Sequence, residues 1–263
     1  MLDSYKRHIS YLRISVTDRC NLACSYCMPE QLAAGVKRHP LLSFEEMAGV
    51  VRILAPLGIS KIRLTGGEPL VRKGVDELVR VIAEIDGVEE ITMTTNGQLL
   101  EPLAGPLASA GLHRVNISLD TLDPVRYSEL TRGGDIRRVL KGIEAALGAG
   151  LDPVKINGVI TPDTTAKEMR DLKSFGRNKG LEVRFIRQMN LGAGRFWRVE
   201  GGEGGHCRTC NRMRLTSDGR FIPCLFSDKE FSIMEYGILE AFNRAVQQKP
   251  RRGRVNSRNT FYG

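Results

Sequence analysis

Six short runs of aliphatic and β-branched residues, at 12–16, 61–65, 91–95, 114–119, 153–160 and 182–187, alternate with five longer stretches. Those stretches, at 43–57, 74–85, 102–110, 136–149 and 166–179, carry apolar residues at helical spacing. A strand that must run parallel to its predecessor needs a crossover, and a helix is the usual one. The alternation therefore predicts a parallel sheet with helices outside. Six strands fall short of the eight that close a barrel, so the expected class is α/β, a partial (β/α)6 barrel of TIM type over residues 1–192. Residues 193–263 read as a C-terminal extension that closes the barrel. Ser43 before Glu45 and Glu46 reads as a helix start with Gly58 past its end, and Thr164 or Thr165 caps the helix that stops at Gly180.

Ligands of such sheets bind outside the carboxyl ends of the strands. The distinctive motifs fall there: Cys20, Cys24 and Cys27 after the first strand, GGEP (66–69) after the second, TTNG (94–97) on the third and SLD (118–120) on the fourth. Four motifs on one rim mark a site. Beyond Met189 the rhythm breaks into a glycine-rich loop at 190–206, a hairpin of 213–216 with 221–224 turning at Ser217-Asp218-Gly219, a helix at about 231–247, and a basic tail.

The six cysteines form two groups of three, Cys20, Cys24, Cys27 and Cys207, Cys210, Cys224. Three thiolates are one short of ligating every iron of a four-iron cube, leaving an open iron able to hold a small molecule. Zinc is the alternative, but structural zinc takes four protein ligands, and His39 and His206 do not complete the first set in sequence. With no apolar run of membrane-spanning length and no apolar leader, the expected location is the cytoplasm, where clustered cysteines bind metal in preference to forming disulfides. The net charge of +9 asks for an anionic partner or a solvated surface. Basic residues are dispersed as far as KPRRGRVNSRN and aromatics make up 6%, which argues against nucleic acid and leaves a small polyanion or a well-solvated surface.

The spacing Cys20-x3-Cys24-x2-Cys27 together with GGEP and TTNG resembles the radical S-adenosylmethionine superfamily. That resemblance implies a [4Fe-4S] cluster whose open iron holds S-adenosylmethionine and, on reduction, yields a 5′-deoxyadenosyl radical. Gly66 and Gly67 would admit the methionine amino group, with Glu68 as its acceptor, while Tyr26, Ser118 and Met189 would contact the cofactor. The segments YLRISVTDRCNLACSYCMP, KIRLTGGEPLVRKG and CNRMRLTSDGRFIPCLF resemble the GTP 3′,8-cyclase family of molybdenum cofactor biosynthesis, over residues 1–189 and 205–235. This implies a second [4Fe-4S] cluster on Cys207, Cys210 and Cys224, with guanine on its open iron. It also implies a GTP cradle of Arg13, Lys61, Arg63, Thr94, Lys155, Asn157, Arg184, Arg212 and Arg214, the last two with a catalytic role. Partners implied are an electron donor such as flavodoxin or ferredoxin, a downstream cyclic pyranopterin monophosphate synthase and a homodimer, with no membrane.

The chain departs from that family in three places. The link between Met189 and Cys207 is short, the sixth-strand motif FIEFM reads Phe185-Ile186-Arg187-Gln188-Met189, and the ending is Phe261-Tyr262-Gly263 without a Gly-Gly doublet. Two other readings stand beside the cyclase: a two-cluster radical enzyme acting on a peptide or a tungsten-cofactor precursor, and a non-catalytic iron–sulfur protein.

Overall fold

The computed structural model describes residues 1–27, 40–202 and 204–256. His39 and the ending Phe261-Tyr262-Gly263 lie outside the described residues.

The expected alternation is present: β1 (Tyr11–Ser15), α1 (Phe44–Leu54), β2 (Lys61–Thr65), α2 (Val75–Ala83), β3 (Glu90–Thr95), α3 (Ala104–Ser109), β4 (Arg114–Ser118), α4 (Pro124–Thr131), α5 (Ile136–Gly148), β5 (Lys155–Ile160), α6 (Ala166–Lys179) and β6 (Glu182–Arg187). Both expected caps form. Ser43 and Glu46 make a capping box on α1, as Thr165 and Glu168 do on α6, each satisfying backbone donors that a helix start leaves open. Gly180 stops α6 at φ 68°.

Three details differ from the sequence reading. The α4 helix is not among the five stretches of helical spacing; Asp123 caps it, Pro124 starts it, and Tyr127 and Thr131 are its buried residues, too few for an apolar stripe. The first helix ends at Leu54 and tightens into a 3-10 turn at Ala55–Leu57, where Pro56 sits. The final helix is divided: β9 (Phe231–Ser232) leads into α7 (Ile233–Tyr236), then Gly237 at φ 72° breaks the chain before α8 (Ile238–Gln247).

Among the described residues the strands form a nine-stranded sheet in the order β6-β5-β4-β3-β2-β1-β7-β8-β9. β1 to β6 run parallel in sequence order. The hairpin expected from the sequence is β7 (Arg212–Leu215) with β8 (Arg220–Ile222), antiparallel, and β7 lies parallel on the other side of β1. The short 190–206 link folds back on the free edge of β6, where Phe185 and Glu200 exchange backbone hydrogen bonds of 3.0 Å. An edge covered in this way is withheld from pairing with another chain.

Strand side chains alternate between faces. Leu12, Ile14, Ile62, Leu64, Ile91, Met93, Val115, Ile117, Ile156, Met213 and Leu215, none more than 1% exposed, line the face under the helices. Burying each aliphatic chain stabilises the fold by about 1.5–3 kcal/mol. The opposite face carries arginine, lysine, threonine, asparagine and serine instead. A closed barrel fills that space with branched aliphatics; here it is left for something polar.

Candidate active site

The first cysteine loop leaves the carboxyl end of β1 and is pinned from three sides. Gly67 N donates to Thr17 O (2.8 Å) and Glu68 N to Arg19 O (2.7 Å), so the GGEP backbone runs against the loop's entry. A Cβ on Gly66 would stand 2.6 Å from Thr17 O, and one on Gly67 2.2 Å from Arg19 O. The two glycines are thus demanded by the approach of the cysteine loop itself. On the far side Ala23 N donates to Thr131 O and Ser25 N to Leu130 O, which makes α4 the loop's support. Tyr26 Oη donates to Asp120 Oδ2 (2.7 Å), and Asp120 Oδ1 accepts from Val159 N (2.7 Å), tying the loop to the ends of β4 and β5.

Cys20, Cys24 and Cys27 are free thiols that feel one another's charge. Burial pushes all three up, Cys24 to about 12 with help from Asp120, so as bare thiols they stay protonated. A bound metal would invert that balance, because a coordinating thiol is deprotonated outright. Among the described residues no three His, Cys, Asp or Glu side chains converge as they would on a single ion. Thiolates on a cube each take a different iron and need no such convergence. The three soft sulfurs and the close-packed glycine turn fit a cluster at this rim, and beside the loop a cavity of about 210 Å³ opens between Tyr26, Arg126 and Glu129 of α4, Thr161 and Gln188.

Glu68, 1% exposed, accepts from Leu70 N (3.1 Å), Thr95 Oγ1 (2.7 Å) and Asn96 N (2.6 Å). Burial still lifts its carboxyl to about 7 against those three donors. Asn96 in turn directs its amide at Cys20 Sγ, 3.8 Å away. Asp120 and Asn96 were not carried forward from the SLD and TTNG motifs as site residues; their presence in motifs already picked out was the available signal.

Below the rim, register places the remaining candidates in rows across one face. Arg214, Arg13, Arg63 and Thr92 are direct neighbours on β7, β1, β2 and β3. Nearer the rim, Thr94, Asn116 and Lys155 follow on β3, β4 and β5, and then Ser118, Asn157 and Arg184 on β4, β5 and β6. The arginines crowd one another. Burial first and then Arg214 lower Arg13 to about 9, and burial lowers Arg63 to about 10. Arg13 Nε, Thr94 Oγ1, Asn116 Oδ1 and Arg184 Nε are buried without a hydrogen-bond partner, all on this face. Orphaned buried polar atoms are costly, and four together describe a surface made to be covered by a polar ligand. Lys155 and Arg184 meanwhile share Glu182 Oε2, at 2.7 and 2.9 Å. Lys61 lies on the same face at the opening of β2, exposed and 3.6 Å from Glu90. Met189 stands half-buried beyond the end of β6.

The second triad lies at the other end. β7 runs parallel to β1, so Cys207 and Cys210, which precede it, sit at the amino end of the sheet, where Ser10 N and Tyr11 N donate to Asn211 O. One strand of five residues, roughly 16 Å at strand rise, separates this end from the first triad. Cys210 is raised by burial but lowered more by Lys249, Arg212 and Arg214, ending below the ordinary thiol value. Cys224 is raised by burial despite Lys249 and feels Cys210. Cys207 is one 3-10 turn away, on the wall of a cavity of about 620 Å³ that also includes Phe196, Trp197, Arg198, His206 and Arg252. Three free sulfurs among cations fit an anionic metal–sulfur body here as well.

Comparison with known proteins agrees with this geometry. Residues 14–176 match the radical SAM superfamily. The GTP 3′,8-cyclase of Moorella thermoacetica is 44% identical over 95% of this chain and 94% of its own length, and that of Petrotoga mobilis is 40% identical over the same shares. The first alignment runs to 306 positions against 263 residues here, so the relative carries residues without a counterpart, in keeping with the short 190–206 link. Among solved structures, Streptococcus suis SuiB bound to S-adenosylmethionine superposes with TM-score 0.70 at 17% identity, over 87% of this chain and 64% of that one. Native anSMEcpe with bound AdoMet superposes with TM-score 0.68 at 15% identity, over 92% and 81%; both show the shared fold. Motifs, fold and relatives coincide, and the chain belongs to the radical SAM superfamily, within the family of GTP 3′,8-cyclases.

Proposed function

We propose that this chain is a GTP 3′,8-cyclase of the first step of molybdenum cofactor biosynthesis, with S-adenosylmethionine at the rim and GTP spanning the polar face. The observation that carries the reading is the row Arg214–Arg13–Arg63, in which Arg13 Nε is buried without a partner, lying between two cysteine triads at opposite ends of one sheet face.

Cys20, Cys24 and Cys27 would hold one [4Fe-4S] cluster and Cys207, Cys210 and Cys224 another. When bound, the first cluster and S-adenosylmethionine supply the electron and the adenosyl radical that removes the ribose 3′ hydrogen. The chain's own residues do the positioning. Glu68 offers a buried acceptor for the methionine ammonium, and Tyr26, Ser118 and Met189 border the adenosyl end. Arg13, Arg63, Arg212 and Arg214 oppose the triphosphate with charge-assisted hydrogen bonds, while Thr94, Lys155, Asn157 and Arg184 continue the polar surface toward the rim. Lys61 extends the basic row at the amino end of β2. Guanine would lie toward the second triad, where the cluster held by Cys207, Cys210 and Cys224 would supply a site for the base. Holding C3′ and C8 of one nucleotide in a fixed relation is proximity catalysis, and enclosing the face excludes water from the radical.

A small-molecule polyanion accounts for much of the basic surplus without nucleic acid. An acidic electron donor such as flavodoxin or ferredoxin and a synthase that consumes the cyclised nucleotide complete the expected setting, in the cytoplasm. No described helix is long and apolar enough to cross a membrane. The test is anaerobic turnover with GTP, S-adenosylmethionine and reductant, with products weighed by mass spectrometry. A cyclised nucleotide isomeric with GTP is expected; 5′-deoxyadenosine with unaltered GTP would transfer the chemistry to another substrate, such as a peptide.

A further inference from the structure

Lys249 follows α8 and is 3% exposed. Its ammonium donates to Arg212 O (2.5 Å), two residues after Cys210, and to Pro223 O (2.6 Å), directly before Cys224. The two chain segments that present these cysteines are thereby held by one cation. Arg7 does a similar service for the third sulfur, donating to Cys207 O (2.7 Å) and Pro250 O (2.8 Å). The two braces differ in one respect. Arg7 is neutralised by Asp3 at 2.6 Å, whereas among the described residues Lys249 has no carboxylate within ion-pair distance. Its neighbours of opposite sign are Cys210 and Cys224, and those of like sign are Arg7 and Arg214.

A buried ammonium without a counter-ion is strongly unfavourable, and two carbonyls satisfy its hydrogen bonds without cancelling its charge. Among the described residues the groups able to supply the anion are the sulfurs of Cys210 and Cys224, which carry charge as metal-bound thiolates. A clamp alone would be served by a neutral donor, as Asn256 Nδ2 serves at Leu225 O (2.9 Å) in the same loop.

We propose that Lys249 is a positioning residue of the second triad, fixing the segments of Cys210 and Cys224 at one separation and setting a positive charge against the metal–sulfur group they hold. This rests on the second triad being a cluster site. A fixed charge beside a cluster favours its reduced, more negative form, since net local charge is among the factors that set cluster potentials.

The test compares the wild-type chain with Lys249→Gln, which keeps an amide donor and removes the charge, and with Lys249→Arg, which keeps the charge. Each is reconstituted anaerobically with iron and sulfide, its iron counted, and each paramagnetic centre titrated with a potentiometric dye series. The expected result is that K249Q moves the second centre to a more negative midpoint, or empties it, with the first centre unchanged, and that K249R restores it. A second centre with wild-type iron and midpoint in K249Q overturns the role, as does equal damage in K249R. Loss of the first centre in K249Q would mark misfolding, and Lys249→Met, equally uncharged and better suited to a buried site, then takes its place. A wild-type chain holding a single centre overturns the second-triad reading itself, an outcome distinct from wild-type behaviour in K249Q.

Discussion

Arg13 shows what single residues tolerate when a site is built for a ligand. It stands in register between Arg63 and Arg214, its Nε without a partner. Replacing a buried charge by a hydrophobe of similar size is often stabilising. Arg13→Met is therefore predicted to stabilise the ligand-free chain by about 1–2 kcal/mol while weakening GTP binding by about 1.5–3 kcal/mol. Denaturant melts and calorimetry read the two effects, and a destabilised apo variant with unchanged affinity would contradict the assignment. Glu68 gives a pH signature. Its folded value, about 7, lies above the ordinary 4.5, so the folded chain holds this proton more tightly than the unfolded one. Stability of the metal-free protein should therefore be greatest below 4.5 and fall as pH rises to about 7, by an amount on the order of 3 kcal/mol. Melts at pH 5 and 8 should show the decline in wild type and a flatter profile in Glu68→Gln; parallel slopes would exclude Glu68 as its source. At Gly67 the backbone contact leaves no room for a methyl group, so Gly67→Ala should cost about 2–3 kcal/mol and displace the cysteine loop, read as a lowered melting point with reduced iron uptake. An unchanged melting point would mean that the contact yields freely.

The strands were legible in the sequence because β-branched runs between glycines leave little choice, and the observed bounds shift by no more than two residues from the expected ones. α4 was not legible: with Tyr127 and Thr131 as its buried residues it offers no apolar periodicity, yet it is the support on which the first cysteine loop rests. The final helix was read as continuous because its composition hides the single φ-positive break at Gly237. What no local pattern could reveal is that β7 inserts beside β1, which brings Arg214 level with Arg13 across some two hundred residues of chain. The β5–β6 pair adds a testable element-level feature. Glu182 holds both Lys155 and Arg184 and so competes with any anion for them. Glu182 itself is half exposed, but Lys155 is buried, so losing the carboxylate leaves that ammonium without its ion pair. Glu182→Gln should accordingly lower the stability of the ligand-free chain by about 1–2 kcal/mol and tighten GTP binding with a steeper salt dependence. Weaker binding in that variant would remove Lys155 and Arg184 from the surface that meets the nucleotide.

At the scale of the whole molecule, a two-faced sheet explains both stability and purpose. One face is packed with aliphatics under the helices; the other carries the cationic rows with a sulfur triad beyond each end. If each triad carries a four-iron cube, reconstituted protein should hold about eight irons. Changing Cys207, Cys210 and Cys224 together to alanine should halve that figure and leave S-adenosylmethionine cleavage measurable, because the GGEP turn and the α4 support do not touch the second triad. Loss of cleavage with first-centre iron retained would tie the two ends together in a way the geometry does not suggest. The short 190–206 link, packed on β6, leaves the cationic rows intact and so is compatible with the relatives' substrate.

The most direct measurement is anaerobic turnover with GTP deuterated at the ribose 3′ carbon, following the label. Deuterium appearing in 5′-deoxyadenosine, together with a cyclised nucleotide that has lost it, is the predicted result. Unlabelled 5′-deoxyadenosine with intact GTP would contradict the proposal that this polar face holds GTP between two metal–sulfur ends.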